Sequence, residues 1–309
     1  MDRRTFLKTL ATKERLESSV EYVSEHMSRF VRRGERVMVC FPAEKETDLG
    51  TIFAEAVRRC GGVPEIWGQD HRWKTLLRQA FFCRAGAIIG PPLLILGLTK
   101  LSRAMATPLS IRHVLTAGYP CLDWMIEGIK NGLDCKSWGC LDLMQSGIIA
   151  GFSCGKSRGV HVREDAFRVT VLDDIGEPLS DGSIGNLVLQ PVDDPQVSIP
   201  IEAMGSVERS ACICGSKQLR ILNISPGEGT DPELSRLGSE INQWSSVLDC
   251  RLVKTGAGLE IEIVVFPGER LPRLPSCAKL IVRPWNPEED APFWIGPIWK
   301  NVPLMPESH

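Results

Sequence analysis

The chain of 309 residues has no block of basic residues and no apolar run long enough to cross a bilayer. Its net charge is −2, with 36 lysines and arginines against 38 acidic residues, which argues against nucleic-acid binding or attachment to a membrane surface. The longest apolar run, residues 85–98, contains Pro91 and Pro92 and is shorter than the roughly 20 residues of a transmembrane helix. We therefore expect neither a nucleic-acid partner nor a membrane.

The N-terminus lacks the apolar segment of an export signal. Residues 3–8, Arg-Arg-Thr-Phe-Leu-Lys, match the twin-arginine motif, but the residues that follow are polar where a signal needs an apolar h-region. The eleven cysteines are odd in number and mostly scattered singly in apolar runs, which is typical of a reducing compartment rather than of a disulfide framework. These features predict a cytoplasmic protein.

Strand-like and helix-like segments alternate through the first half of the chain. The composition, 43% apolar and 24% charged, is ordinary for a globular protein, and the length suffices for one large and one small domain. The helical segments lie at residues 12–32, 47–60, 73–82, 93–106 and 122–131. The strands between and after them lie at residues 36–41, 63–67, 87–90, 111–117 and 135–138. This rhythm predicts an α/β fold with βαβ units and a mainly parallel sheet.

In open sheets of this kind, ligands bind outside the carboxyl ends of the strands. Residues 117–120 and 139–147 are therefore expected on the ligand face. After Gly151 the periodicity changes to short alternating segments separated by Gly, Asp and Pro. We predict four parts: a βαβ core at 1–150, a small β subdomain at 151–223, a linker at 224–230, and a small α+β C-terminal domain at 231–309.

Three cysteines and one histidine fall within the predicted β subdomain, namely Cys154, His161, Cys212 and Cys214. Three thiolates and one imidazole are a complete tetrahedral ligand set for structural zinc. Gly215 allows the tight turn that such a site needs after its last thiol. The spacing is not that of a standard zinc finger, and free cysteine also packs as a small hydrophobe. The spacing alone leaves four unrelated buried residues as an open alternative.

Further motifs surround these residues. They are Gly-Val-His-Val-Arg-Glu-Asp-Ala-Phe at 159–167, Gly-Glu-Pro-Leu-Ser-Asp-Gly at 176–182, Gly-Asn-Leu-Val-Leu at 185–189 and Cys-Ile-Cys-Gly-Ser-Lys-Gln-Leu-Arg-Ile at 212–221. In order and spacing they resemble the phenylacetate-CoA ligase-like branch of the adenylate-forming (AMP-binding, acyl-CoA synthetase) superfamily, over about residues 10–222. The resemblance implies an adenylate-forming fold. Some members hold a structural zinc with the matching residues, so it also favours zinc at Cys154, His161, Cys212 and Cys214.

The resemblance implies a reaction in which a carboxylate and ATP–Mg²⁺ form an acyl-AMP, after which coenzyme A takes the acyl group. Several groups for this chemistry are altered. No Gly-rich phosphate loop precedes residue 34, so we expect the N-terminal subdomain that carries it to be missing. The Tyr-Gly-x-Thr-Glu motif is matched by Leu-Asp-Leu-Met-Gln at 141–145, which includes Asp142, Met144 and Gln145. Met has no hydroxyl, and neutral Gln is a poor Mg²⁺ ligand.

Other parts of the nucleotide site are altered as well. The Thr-Gly-Asp that grips the ribose is matched by Met-Gly-Ser, where the Ser206 hydroxyl replaces a carboxylate and forms the weaker bond. Arg220 precedes Ile221, but the family's Gly-Arg-x-x-Asp hinge does not follow. Lys300 is the only lysine in the Trp- and Pro-rich tail and is the candidate for the family's C-terminal catalytic lysine. Gly118 and Tyr119, on the expected ligand face, complete this degenerate nucleotide site.

Two main hypotheses follow. The first is a non-catalytic, zinc-containing relative of these ligases that acts as a binding or accessory module. Its partner would be another protein or a second copy, bound through the face that the absent subdomain exposes, or an acyl or CoA ligand. The second is an active acyl- or aryl-CoA ligase that uses ATP, Mg²⁺ and CoA and is completed by a separate N-terminal chain.

Overall fold

A computed structural model describes residues 9–67, 72–118, 121–143, 146–226, 232–256, 258–268, 271 and 279–293. The helices of this part of the chain are α1 Lys13–Met27, α2 Leu49–Arg59, α3 Trp73–Phe82, α4 Pro92–Ala104, α5 Asp123–Leu133 and α6 Pro232–Gln243. The first seven strands are β1 Arg36–Val39, β2 Val63–Ile66, β3 Ala87–Gly90, β4 His113–Thr116, β5 Lys136–Leu143, β6 Ile148–Phe152 and β7 Val160–Val162. The others are β8 Phe167–Leu172, β9 Gly185–Pro191, β10 Ile199–Glu208, β11 Arg220–Pro226, β12 Val247–Thr255, β13 Gly258–Val265 and β14 Lys279–Pro284.

Eleven strands of the described residues form one sheet in the order β2-β1-β3-β4-β5-β6-β7-β11-β10-β9-β8. The first five strands are parallel to one another, as the alternation of strands and helices predicts. From β5 onward the neighbours are antiparallel. The boundary predicted at residue 150 falls within β6, so the β subdomain extends the same sheet; the division into domains stays a prediction.

Helices cover both faces of the parallel strands. Within β1, Val37 and Val39 pack with residues of α1 and α2, whereas Met38 packs with residues of α3, α4 and α5. Successive side chains of a strand point to opposite faces, so a strand with an apolar residue at each of these positions must be buried on both sides. This is why the central strands carry continuous apolar runs.

Local sequence signals set the helix ends. The side chain of Thr12 accepts a hydrogen bond from the backbone N–H of Arg15 at the start of α1, which is the usual role of an N-cap threonine. Helix α4 begins at Pro92, where the missing N–H of proline costs nothing. Helix α2 is followed by Gly61, whose φ of 78° places it in the left-handed region that glycine adopts without steric cost.

The C-terminal part forms a second sheet in the order β12-β13-β14, with α6 packed against it. Its residues Leu248, Val264, Phe266 and Trp285 join the core formed by α3, α4 and α5. The C-terminal unit and the βαβ core therefore share one apolar interior. Within the described residues, helices are either too short or too polar to traverse a bilayer.

Candidate metal centre and adjoining cavity

The four predicted metal ligands converge because their elements are neighbours in the sheet. Cys154 follows β6, His161 lies in β7, and Cys212 and Cys214 occupy the turn between β10 and β11. Strand β7 pairs with both β6 and β11. Residues 58 positions apart in sequence are thereby brought to one end of the antiparallel half of the sheet.

The distances within this cluster suit a tetrahedral metal. The sulfurs of Cys154 and Cys212 are 3.8 Å apart, and the sulfur of Cys214 lies 3.6 Å from Nε2 of His161. All four ligand atoms lie within 4.8 Å of one another. A tetrahedral zinc with Zn–S bonds of about 2.3 Å has sulfur–sulfur edges of about 3.8 Å. The residues therefore fit a structural zinc without rearrangement of the backbone.

The turn from Cys212 to Ser216 is closed by hydrogen bonds that also reach the sulfurs. The N–H of Gly215 donates to the carbonyl oxygen of Cys212 at 2.8 Å, and the N–H of Cys212 donates to that of Ser216 at 2.9 Å. The N–H groups of Cys214 and Ser216 point at the sulfurs of Cys212 and Cys214, at 3.5 and 3.4 Å. Gly215 has a φ of 94°, which a side chain would strain.

These donors change the acidity of the thiols. Burial alone raises the pKa of Cys212, but the backbone N–H of Cys214 and the hydroxyl of Ser157 outweigh it and lower the pKa to about 7. The pKa of Cys154 is also lowered; burial opposes this, and the Ser157 hydroxyl contributes most to it. The pKa of Cys214 is raised by burial and by its two neighbouring thiols. Two of the three thiols are thus shifted toward the thiolate, which is the form that binds a cation such as Zn²⁺.

Ser157 is a member of this site that the sequence patterns did not reveal. Its Oγ lies 2.9 Å from the sulfur of Cys212 and 3.5 Å from that of Cys154. The guanidinium of Arg220 donates to Ser157 Oγ at 3.4 Å and to Glu208 Oε2 at 2.6 Å. Arg220, predicted as part of a nucleotide site, is thus placed around the metal ligands. The only sequence signal for Ser157 is its position three residues after Cys154.

A cavity of about 700 Å³ adjoins the metal centre. It is bordered by α5, by β5, by residues 153–160 that connect β6 to β7, and by β10 and β11. Apolar residues such as Ile126 and Ile201 line it together with charged residues of both signs, which are Asp123, Glu127, Lys130, Lys156 and Arg158. Metal centre and cavity share the connection between β6 and β7.

The residues that line the cavity include Asp142, which is buried and only 6% exposed. Its Oδ2 accepts a hydrogen bond of 2.6 Å from the backbone N–H of Gly118, which joins the carboxyl ends of β4 and β5. Its Oδ1 has no hydrogen-bond partner among the described residues. Burial raises the pKa of Asp142 to about 6, although the hydrogen bond from Gly118 acts in the opposite direction.

The remaining predicted site residues are distributed as follows. Ser206 is buried in β10, where its Oγ accepts a hydrogen bond of 3.1 Å from the side-chain amide of Asn223. Asn223, but not Ser206, borders the cavity. Tyr119, Met144, Gln145 and Lys300 lie outside the described residues. The structure therefore brings Gly118 and Asp142 together and places Ser206 in a separate contact.

Comparison with known proteins relates this fold to adenylate-forming ligases. No protein-family model and no curated protein matches the sequence. Among solved structures, the chain is similar to a 2-hydroxyisobutyryl-CoA ligase in complex with R3-HIB-AMP, with a TM-score of 0.67 and 14% identity. It is also similar to an anthranilate CoA ligase in complex with anthranoyl-AMP (TM-score 0.57, 10% identity) and to a benzoate CoA ligase from Burkholderia xenovorans (0.55, 12%).

These alignments cover 90%, 86% and 86% of this chain and 67%, 59% and 62% of the three ligases. At such low identity they define the fold alone. The chain has the fold of adenylate-forming CoA ligases, which confirms the fold class expected from the sequence. The comparisons do not distinguish the phenylacetate-CoA ligase-like branch from its relatives.

Proposed function

We propose that this protein is a zinc-stabilised, non-catalytic relative of the phenylacetate-CoA ligase-like enzymes that binds a small ligand in the cavity beside β5. The observation that carries the proposal is the buried carboxyl of Asp142, in the segment that matches the Tyr-Gly-x-Thr-Glu motif. A carboxylate there repels an anionic phosphate. The matching segment also carries Met144 and Gln145 in place of Thr and Glu.

The burial of Ser206 and its hydrogen bond to Asn223 support the same proposal. A ribose-binding carboxylate accepts hydrogen bonds from sugar hydroxyls, whereas the Ser206 hydroxyl is buried and already paired with Asn223. Loss of the carboxylate removes the stronger, charge-assisted bond. A nucleotide would thus lack one anchor at its ribose and meet repulsion at its phosphate.

In this proposal, zinc is held by Cys154, His161, Cys212 and Cys214. A closed set of four protein ligands supplies structural stability and leaves no open position for a substrate. The ion would link the β6–β7 connection to the β10–β11 turn. Ser157 and Arg220 would orient the thiolates from outside the ligand set, a role that commonly tunes metal affinity.

The proposal is tested by calorimetry with ATP–Mg²⁺ and by pyrophosphate release. The acids to supply are phenylacetate, benzoate, anthranilate and 2-hydroxyisobutyrate, each with ATP, Mg²⁺ and CoA. We expect no micromolar ATP binding and no acid-dependent pyrophosphate above the background without protein. A benzoate CoA ligase serves as the positive control. Acid-dependent pyrophosphate release by the purified chain would contradict the proposal.

The alternative function is an active acyl- or aryl-CoA ligase completed by a second polypeptide. The fold shared with ligases that were solved with acyl-AMP supports it. In that case, pyrophosphate release would appear only after the second polypeptide is added. The variant Ser206→Asp would then raise the rate, because it restores the carboxylate that matches the ribose ligand of the family.

We also propose self-association at the β2 edge of the sheet. Val63 and Ile66 of β2 and Phe81 and Phe82 at the end of α3 are exposed, Phe82 by 71%. Exposed apolar side chains beside an edge strand are typical of an interface. Sedimentation should show a dimer that Phe82→Asp dissociates and that Ile175→Asp, an exposed control in the loop after β8, leaves intact. A monomer at every concentration would contradict this interface.

A further inference from the structure

We propose that an arginine-rich pocket at the amino ends of the parallel strands binds a diphosphate group, either free pyrophosphate or the diphosphate of a larger organic molecule. This pocket lies at the opposite ends of the strands from Gly118 and Asp142. The inference is therefore independent of the proposed function.

Arginines stand at the starts of three neighbouring parallel strands. Arg33 and Arg36 lead into β1, Arg84 comes three residues before β3, and Arg112 directly precedes β4. Because β3 is parallel to β1 on one side and to β4 on the other, the amino ends of these strands meet. They enclose a pocket of about 620 Å³ whose lining includes Arg32, Arg33, Arg36, Arg84 and Arg112.

Backbone hydrogen bonds hold these strand starts together. The N–H of Gly86 donates to the carbonyl oxygen of Arg36 at 3.0 Å, and the N–H of Arg112 donates to that of Gly86 at 2.8 Å. Gly86 also makes room for a charged pair, since a Cβ there would lie 2.1 Å from Oε1 of Glu35 and 2.9 Å from Nη2 of Arg112. The arginines therefore extend from backbone that the sheet fixes in place.

Two of the five arginines have acidic partners. Arg112 pairs at 2.6 Å with Glu35, whose side chain is only 7% exposed, and Arg36 pairs with Glu65. The other three guanidinium groups have no hydrogen bond or ion pair with any described residue, those of Arg32, Arg33 and Arg84. Basic side chains beside a helix C-terminus often bond its last carbonyls, but these three do not do so within the described part of the chain. Three positive charges are thus left for a ligand.

The titration of His113, the first residue of β4, agrees with an excess of positive charge here. Burial lowers its pKa most, and Glu35 acts in the opposite direction. The positive charges of Arg112, Lys136 and Arg32 lower it further. The whole chain has a net charge of −2, so this excess is local to the pocket.

The charge and the donor geometry favour a diphosphate. A diphosphate group carries about three negative charges near neutral pH, which equals the number of unpaired guanidinium groups. Guanidinium also presents parallel N–H donors that match two oxygens of a phosphate. A single carboxylate would neutralise only one of the three groups. A nucleic acid would need basic surface along many phosphates rather than in one pocket.

The test is calorimetry on the full chain at pH 8 with orthophosphate, pyrophosphate and ADP, without divalent cations. We expect saturable binding of pyrophosphate, about tenfold or more tighter than that of orthophosphate, because a second phosphate adds charge-assisted hydrogen bonds. Added salt should weaken it, since exposed charges are screened. ADP identifies the source of the diphosphate: binding at least as tight as that of pyrophosphate assigns an organic diphosphate, and weaker binding assigns free pyrophosphate.

Two variants make the test specific. Arg33→Gln and Arg84→Gln should each weaken pyrophosphate binding about 10- to 100-fold, the range for a hydrogen bond to a charged group. Glutamine keeps a polar side chain at position 84, where φ is 49°. Arg209→Gln makes the same change in net charge at an exposed residue that pairs with Asp181 outside the pocket, and it should bind like the wild type. Thermal unfolding verifies that each variant is folded.

Three results would overturn the proposal. They are the lack of saturable pyrophosphate binding, orthophosphate binding as tight as that of pyrophosphate, and an equal loss of affinity in all three variants, which would show a general attraction of charge. The double variant Arg33→Gln/Arg84→Gln also separates this pocket from the site of the proposed function. Heat from ATP–Mg²⁺ that persists in the double variant arises elsewhere in the chain.

Discussion

The hydroxyl of Ser157 lies 2.9 Å from the sulfur of Cys212, and this contact joins the connection between β6 and β7 to the turn between β10 and β11. The same connection borders the cavity through residues 153–160. Arg158 extends the link, because its guanidinium is 3.1 Å from the carboxylate of Asp123 at the start of α5. The candidate metal centre and the cavity therefore share the connection between β6 and β7.

The first prediction concerns the metal itself. Elemental analysis of the purified protein should find about one zinc per chain, and chelation should lower the unfolding temperature, because a structural zinc contributes directly to folding free energy. Cys154→Ala should have the same effect without chelator. Cys60→Ala, which removes a half-buried thiol outside the cluster, is the matched control. A zinc-free protein with unchanged stability after chelation would refute the site.

The second prediction links the metal to the cavity. Removal of zinc should increase amide hydrogen exchange in residues 153–160, because the β6–β7 connection loses its anchor. Ser157→Ala should produce a smaller change in the same direction. Exchange in α3, none of whose residues lines the cavity, provides the internal reference. Equal exchange with and without zinc across residues 153–160 would show that the two sites are independent.

The third prediction concerns pH and Asp142. Its pKa rises from an ordinary value of 3.8 in the unfolded chain to about 6 in the folded protein. Between these two pH values, the folded state therefore binds more protons than the unfolded state, and stability falls as the pH rises. The contribution of Asp142 to the free energy of unfolding is fully present below about pH 4 and is lost as the pH rises through 6. Asp142→Asn should be more stable than the wild type at pH 8, by on the order of 2–3 kcal/mol.

Chemical denaturation at pH 4 and pH 8 measures this difference. The advantage of Asp142→Asn should largely disappear at pH 4, where Asp142 is protonated in the folded protein. Asp193→Asn should show no comparable dependence on pH. If Asp142→Asn destabilised the protein equally at both pH values, the buried carboxylate would not be the cause of the lower stability at pH 8.

The fourth prediction concerns Lys100, which anchors the C-terminal unit to α4. Its ammonium donates to the carbonyl oxygens of Asn242, Trp244 and Val247 at 2.6, 3.1 and 2.9 Å. These groups follow or end α6, where carbonyls lack partners within the helix. Burial lowers the pKa of Lys100 to about 8.

Lys100→Met keeps an unbranched apolar stem but removes the ammonium that bonds to all three carbonyls, of which that of Trp244 retains the N–H of Val247 as a donor. The loss should cost about 2–4 kcal/mol of unfolding free energy. Exchange of the amides in β12 should increase as the C-terminal unit loosens. Lys13→Met, at an exposed position in α1, is the control. Because the pKa is lowered on folding, the wild type should also gain stability as the pH rises from about 8 to 10. Unchanged stability of Lys100→Met would show that the anchor is dispensable.

Local patterns predict much of this fold and the residues of its candidate metal site. The apolar residues of α1, such as Leu16 and Val20, recur at helical spacing, and the helix runs from Lys13 to Met27 within the predicted span of 12–32. The predicted C-terminal end of this helix is less accurate than its predicted start. Phe30 and Val31 continue the apolar pattern, but they lie beyond the last helical residue and pack into the core from there. The Cys/His set was recognisable since its residue types and order are constrained by metal chemistry.

Other features depend on contacts between segments that are distant in sequence. Nothing around Lys100 indicates a contact 142 residues away with Asn242, and nothing around Ser157 indicates that it faces Cys212. Asp142 stood out in the sequence only as a mismatch to a motif. Its significance depends on the burial of one oxygen and on the bond from Gly118 to the other.

The sequence by itself determined the alternation of strands and helices and singled out the four candidate metal ligands, because these follow from local periodicity and from residue chemistry. Only the tertiary structure decided that the sulfur and nitrogen atoms of these four residues meet, that the C-terminal unit shares the core of α3 to α5, and that a cavity forms beside β5. It also showed that one carboxyl oxygen of Asp142 has no partner among the described residues. Burial and hydrogen bonding between distant segments depend on how the elements pack, and packing is not encoded in any single stretch of the chain.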